Sequence, residues 1–251
     1  MLRFFRNIRR QVLGEGRITR YLMYAVGEIL LVVIGILIAL QINTWNQHRE
    51  NRMELRILLN AFQTEINLNV KDLDYRIKDS KHVRSVLMEL LKHMGPDYQQ
   101  APSRLIDSLF FEGISITLFD PNKASFINLT RSGQLKYIEN DSLHQILIGW
   151  DSKLEELANA EASLFHTFKT IVLPHFYDKL SLVRLDRQFA TGYESMPPSA
   201  FEFDNRLALT RIETENILED HFYNLGRVQQ MFEGFYTDLE LLNRLIDDEI
   251  K

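Results

Sequence analysis

From Leu22 to Leu40 the chain reads Leu-Met-Tyr-Ala-Val-Gly-Glu-Ile-Leu-Leu-Val-Val-Ile-Gly-Ile-Leu-Ile-Ala-Leu, apolar apart from one carboxylate, Glu28. As a helix this run spans roughly 28 Å, the thickness of a bilayer's hydrocarbon core. The pattern predicts a transmembrane helix over 21–45, with Tyr21 and Tyr24 at one interface, Trp45 at the other and Thr19 as its N-cap. Before it, Leu2, Phe5, Ile8, Val12 and Leu13 share one face while Arg3, Arg6, Arg9 and Arg10 lie elsewhere. That is a basic amphipathic helix over 1–13, broken at Gly14-Glu-Gly16 and suited to an anionic headgroup plane.

Beyond Gln47 the apolar positions recur every three or four residues: Leu55, Leu59, Phe62, Ile66, Leu73, Ile77, Leu87 and Leu91. No glycine or proline interrupts before Gly95-Pro96. A helix over 46–94 follows, roughly 70 Å long, with a kink or short break at Asn67-Leu-Asn69 as an alternative. Ala101-Pro-Ser103 opens a shorter helix through Glu112. Asp120-Pro121 reads as a helix start and Gly133 as its left-handed stop. Asn140-Asp-Ser142 begins another helix with Leu143, Ile146, Leu147, Trp150, Leu154, Leu157 and Leu164 on its apolar side, which Pro174 kinks or ends. Residues 181–203 read as the least regular part, with Gly192 and Met196-Pro-Pro198 marking an exposed loop. A last helix runs over 205–250, with Leu218, Phe222, Leu225, Phe232, Phe235, Leu239, Leu242 and Ile246 as its seam and Gly226 and Gly234 as weak points. The fold class is therefore all-α: a single N-terminal transmembrane helix followed by a long-helix antiparallel bundle of four or so main helices.

Charge gives the span a direction. The first 20 residues carry six arginines against Glu15, a net of +5, whereas 23 basic and 32 acidic residues lie beyond the span. The positive-inside rule places the arginine flank in the cytoplasm. The domains are then a basic amphipathic cytoplasmic segment (1–20), a transmembrane signal anchor (21–45) and a periplasmic helical bundle (46–251), in a single-pass protein of the cell inner membrane. The apolar run exceeds the roughly 7–15 residues of a cleavable signal's core, and Gln41-Ile-Asn-Thr-Trp-Asn46 has no small-x-small cleavage pattern, so the anchor is read as uncleaved. The chain has no cysteine, so the outer domain must stand on its hydrophobic core. An acidic outer domain without a basic stripe argues against nucleic acid as a partner.

Within the span Ala25, Glu28, Val32, Gly35 and Ala39 follow a heptad spacing and share one face. Gly35 and Ala39 form a small-xxx-small pair that allows close helix approach. An ionised carboxylate in hydrocarbon costs several kcal/mol, so Glu28 is expected to face protein or water. The seam predicts self-association or packing against another membrane protein; solvation of Glu28 at the cytoplasmic headgroups is the alternative.

No residue set points to a reaction. None of the seven histidines pairs at the spacing of a zinc helix or a di-iron signature, and neither Gly-x-Ser-x-Gly, a phosphate loop nor a dinucleotide fingerprint occurs. The expectation is no catalytic residue, no metal and no cofactor. Phe165, Phe168, Phe176, Tyr177, Phe222, Tyr223, Phe232, Phe235 and Tyr236 read as bundle core, with an apolar cavity for a lipid as the alternative.

The stretch Gly27-Glu-Ile-Leu-Leu-Val-Val-Ile-Gly-Ile-Leu-Ile-Ala-Leu-Gln-Ile-Asn-Thr-Trp-Asn46 resembles the anchor of an uncharacterised Bacteroidota membrane-protein family, a domain of unknown function. Phe119-Asp-Pro-Asn-Lys-Ala-Ser125, Ser132-Gly133 and Ile138-Glu-Asn-Asp-Ser-Leu143 are similar to its second motif, with Lys123 and Phe126 in place of Thr and Tyr. The resemblance implies an inner-membrane protein of a Gram-negative envelope and brings no activity. In the second motif Asp120, Pro121, Ser132, Gly133, Asn140 and Asp141 have the chemistry of helix caps. A recognition loop, with Asn122 among its residues, is the alternative.

These readings converge on a membrane-anchored periplasmic scaffold or interaction protein that self-associates through its span, with the bilayer and a second copy as partners and no catalytic activity. Two alternatives remain. One is a periplasmic sensor of an unidentified small-molecule ligand that relays through a partner. The other is an ion- or proton-handling subunit of an oligomeric complex that uses Glu28.

Overall fold

A computed structural model describes residues 18–251. The amphipathic helix expected over 1–13 and its break at Gly14-Glu-Gly16 lie outside the described residues. Seven α-helices occur among the described residues, and no strand: α1 (Ile18–Leu91), α2 (Ser103–Gly113), α3 (Ala124–Arg131), α4 (Asp141–Thr167), α5 (Leu173–Phe176), α6 (Leu182–Phe189) and α7 (Ile212–Ile250). The all-α reading holds. The chain divides within α1 into two compact units, Met1–Arg56 and Ile57–Lys251.

In the first unit α1 carries a stretch long and apolar enough to cross a membrane, none of it buried. Thr19 lies inside this helix as described rather than capping it. Past Trp45 the surface turns polar: Asn46 Nδ2 donates to Glu50 Oε1 at 2.9 Å, and the Arg49 guanidinium lies 5.7 Å from the Trp45 ring centre.

The second unit is an antiparallel bundle in which the rest of α1, α4 and α7 are the long members. Gln63 bonds Asp247 at 2.6 Å, Asn243 bonds Asn67 at 2.7 Å, Lys81 pairs with Glu233 at 2.8 Å and Arg84 donates to Gln229 at 3.1 Å. Numbers rise along α1 as they fall along α7, so the two run antiparallel. Helix α4 also opposes α7, with Trp150 stacked on Phe235 at 4.9 Å and Phe168, just past its end, 5.7 Å from the His221 ring. The expected seams are the core: Leu59, Phe62, Ile66, Leu73 and Leu87 of α1, Leu143, Leu147, Trp150, Leu157 and Leu164 of α4, and Leu218, Leu225, Phe232, Leu239, Leu242 and Ile246 of α7 are buried. Burial of such side chains drives the assembly at roughly 1.5–3 kcal/mol each.

The structure corrects several boundaries. No break occurs at Asn67-Leu-Asn69, because both asparagines find partners outside the helix, at Asn243 and Asn122. Leu90, three residues after Leu87, takes the core position expected of Leu91. His221 fills the core position expected of Phe222, whose ring instead lies 4.3 Å under the Arg84 guanidinium. Residues 181–203 are not all irregular, since α6 lies within them. The last helix starts at Ile212 after a 3₁₀ segment, Asn205–Thr210. Pro174 has no N–H to continue the ladder, and the chain widens just before it into a π turn, Phe168–Val172, closed by Leu173 N–H donating to Phe168 O.

Candidate functional site

The predicted span face is open. Glu28, Val32, Gly35 and Ala39 are exposed and Ala25 is half-buried. A Cβ placed on Gly35 would meet nothing within 4 Å.

The second motif folds differently from the capping scheme its sequence suggests. Asp120 and Pro121 do not start α3; that helix starts at Ala124, and Lys123 at its N-cap makes no side-chain capping bond. The cap comes from another helix. Glu65 of α1, buried, accepts Ser125 N–H at 2.6 Å and Phe126 N–H at 3.2 Å. One turn further along α1, Asn69 Oδ1 accepts Asn122 N–H at 2.9 Å while its Nδ2 donates to Asn122 O at 2.7 Å. Asn122 Oδ1 accepts Ala124 N–H at 3.2 Å, and Thr117 bonds Asp79. A carboxylate on two helix-start N–H groups satisfies orphan donors and suits the positive end of the dipole.

The third anchor is Glu161. The buried residues Leu143, Leu147, Trp150, Leu157, Glu161 and Leu164 follow one heptad register along α4, so this acid occupies a core position. It is 8 % exposed and accepts Phe119 N–H at 2.5 Å. Phe119 itself packs between Phe232 and Phe235, with ring centres 6.2 and 6.1 Å away. Burial pushes the Glu161 carboxyl up to about 7; the Phe119 bond opposes this, nearby Asp120 adds to it and Arg76 subtracts. The backbone from Phe119 to Phe126 is thus clasped by side chains from α1 and α4, while Asp120, Asn122 and Lys123 are exposed.

The remainder of the motif follows the predicted chemistry more closely. Helix α3 ends at Arg131, Ser132 Oγ accepts Gln134 N–H at 3.1 Å, and Gly133 takes the left-handed conformation at φ 73°. Asn140 caps α4 by accepting Leu143 N–H at 3.1 Å, and Asp141 is the first helical residue. A carboxylate from afar serves here too: Glu249 of α7 accepts the N–H groups of Glu139 and Asn140 at 3.0 and 2.9 Å.

A polar network that the sequence did not suggest lies where α2, α6 and the 3₁₀ segment meet. Asp107 of α2 is 0 % exposed; its Oδ1 accepts Asn205 Nδ2 at 2.7 Å and its Oδ2 lies 2.8 Å from Arg184 Nη2. Asn205 in turn accepts Ser181 N–H at 2.7 Å. Beside it Arg206 grips Asp204 through Nε and Nη2 and donates to Gln99 O and Ala101 O, at distances from 2.9 to 3.3 Å. The Arg206 bonds hold the Asp204 carboxyl below its usual range. An open groove of about 810 Å³ adjoins these residues. The sequence signal was the amphipathic run Leu182-Val-Arg-Leu-Asp-Arg-Gln-Phe189, inside the stretch read as the least regular part.

His221 and His175 are structural: His221 lies 3.0 Å from Ser115 O and His175 3.1 Å from Thr214 Oγ1, and burial lowers the pKa of both. Phe168, Phe176, Phe232 and Phe235 are core residues, whereas Phe165, Tyr177 and Tyr223 are exposed. Among the described residues no three His, Cys, Asp or Glu are grouped to hold a metal ion.

Residues 28–171, more than half of the chain, match the model of a family of unknown function (DUF6090), and the chain belongs to that family. No curated protein and no solved structure matches the chain. The matched stretch begins at Glu28 and takes in Glu65, Asn69, the clasped segment, Asp107 and Glu161; Glu249 and every groove-lining residue except Ser103 lie outside it.

Proposed function

We propose that this member of a family of unknown function is a single-pass protein of the inner membrane of a Gram-negative envelope, working as a scaffold or interaction protein that self-associates through its span. Its arginine flank would lie in the cytoplasm and its helical domain in the periplasm. The reading assigns it no reaction. The observation that carries it is the open face of Glu28, Val32, Gly35 and Ala39 on a helix long and apolar enough to cross a membrane. A carboxylate left against lipid costs several kcal/mol, and small residues one turn apart let a second helix approach closely enough to supply a partner. Crosslinking the full chain in native membranes tests this. Multimers are expected, and Glu28→Leu is expected to deplete them. Multimers undiminished in that variant, or a clean monomer with no crosslinkable partner, would remove the basis of the reading.

The groove beside α6 favours a second reading, a periplasmic sensor that binds a small ligand and relays through a partner.

A further inference from the structure

The groove is lined by Ser103, Ser181, Arg184, Arg187, Gln188, Pro198, Ser199 and the run 201–204 with Arg206, so its wall is mainly polar and carries three arginines. Two of these are committed to structure. Arg206 is chelated by Asp204. Arg184 is fixed from behind by buried Asp107, by Ser103 Oγ at 3.0 Å and by Phe203 O at 3.2 Å. It is nevertheless 41 % exposed, and its Nε–H donates to nothing among the described residues. Arg187 follows three residues later on α6, makes no hydrogen bond or ion pair among the described residues, and lines the same groove.

Residues three apart on a helix are neighbours, with Cβ atoms about 5–6 Å apart, so both guanidinium groups can reach one oxyanion. Arg184 is pre-oriented by its buried carboxylate partner and Arg187 has no internal partner to give up, which lowers the cost of binding. Phe201, 81 % exposed, also lines the groove and offers a face for a ring. The opposing charge is Glu202, the lining carboxylate with no ion pair among the described residues; Asp204 is already spent on Arg206.

We propose that this groove binds a small organic oxyanion, a carboxylate or a phosphate carried on a ring, with Arg184 and Arg187 holding the charge and Phe201 packing the ring. A volume of about 810 Å³ lies within the usual range for small-molecule sites. The proposal gives the sensor reading a ligand class and rests on that reading alone. Its test reads binding and not assembly, so an empty groove leaves the scaffold reading standing, and loss of multimers in Glu28→Leu says nothing about the groove.

The test is calorimetric titration of the full chain in neutral detergent with phenyl phosphate, benzoate, inorganic phosphate and benzyl alcohol. Saturable binding of phenyl phosphate or benzoate is expected, whichever is tighter naming the oxyanion, with inorganic phosphate weaker and benzyl alcohol not binding. Arg187→Ala should weaken the tighter anion about tenfold or more, for loss of one charge-assisted contact. Glu202→Gln should strengthen it by removing a like charge. Glu202 is exposed and Arg187 is half-buried without a hydrogen bond or ion pair among the described residues, and thermal melts of the variants should match the parent. Absence of saturable binding by either ring-bearing anion, benzyl alcohol binding as well as they do, or an Arg187→Ala variant that binds unchanged would each overturn the proposal.

Discussion

Replacing Glu161 with glutamine separates two effects that this residue combines. The carboxylate holds Phe119 N–H at 2.5 Å from a core position of α4, and burial raises its pKa from an ordinary 4.5 to about 7. A folded-state value above the unfolded one means that the folded protein binds the proton more tightly. The resulting stabilisation is fully present below about 4.5 and is lost as pH rises through about 7. Each pH unit in that window is worth about 1.4 kcal/mol, so on the order of 3 kcal/mol disappears across it. The glutamine keeps an oxygen for Phe119 N–H but places an amide where the second carboxyl oxygen was, a pH-independent cost of about 1 kcal/mol. The two stability curves should therefore cross near pH 5: the parent leads by about 1 kcal/mol below about pH 4, and Glu161→Gln leads by about 2 kcal/mol near pH 8. Urea unfolding of the full chain in neutral detergent, followed by circular dichroism at several pH values, measures the difference. His175 and His221 also titrate against the fold, but they are common to both proteins and cancel. A difference that stays constant within about 0.5 kcal/mol from pH 5 to pH 8 would refute the argument that buried Glu161 favours its protonated form.

Three further outcomes follow from the clasp and the Asp107 network. Glu65→Gln turns one of two acceptors facing Ser125 and Phe126 N–H into a donor and should cost about 2–3 kcal/mol in the same unfolding assay, whereas exposed Glu156→Gln should fall within about 0.5 kcal/mol. Gly133→Ala forces a Cβ into a backbone with φ 73° and should cost about 1 kcal/mol; nothing crowds that Cβ, so a smaller loss would show that the turn relaxes. Asp107→Asn leaves Arg184 without its buried counter-charge. Discounted for the exposure of Arg184, this should cost about 2 kcal/mol and speed limited proteolysis at the exposed stretch 192–198; an unchanged cleavage rate would show that the network does not hold α6.

Periodicity carried most of the fold. A seam at three-or-four spacing specifies a helix and its buried face because both follow from one residue's rise and rotation, so Leu59 to Leu87, Leu143 to Leu164 and Leu218 to Ile246 could be placed without a structure. Gly133 and Asn140 were equally legible, since a left-handed turn and an N-cap bond are satisfied within a few residues. Glu161 leaves a trace of its own in the sequence: an acid in the heptad register of Leu157 and Leu164. The length of the apolar stretch, the arginines before it and the spacing of its small residues are likewise linear properties of the chain.

What the chain alone did not decide was which side chain serves which distant backbone. Asp120-Pro121 has a good capping sequence, yet Glu65, sixty residues upstream of Ser125, caps α3, because packing α1 against the loop puts a buried carboxylate nearer those N–H groups than any local one. The same reason assigns Glu249 to Asn140, Glu161 to Phe119 and Asp107 to Arg184. A buried donor is satisfied by whatever acceptor the tertiary packing brings within about 3 Å, and sequence separation does not enter that distance.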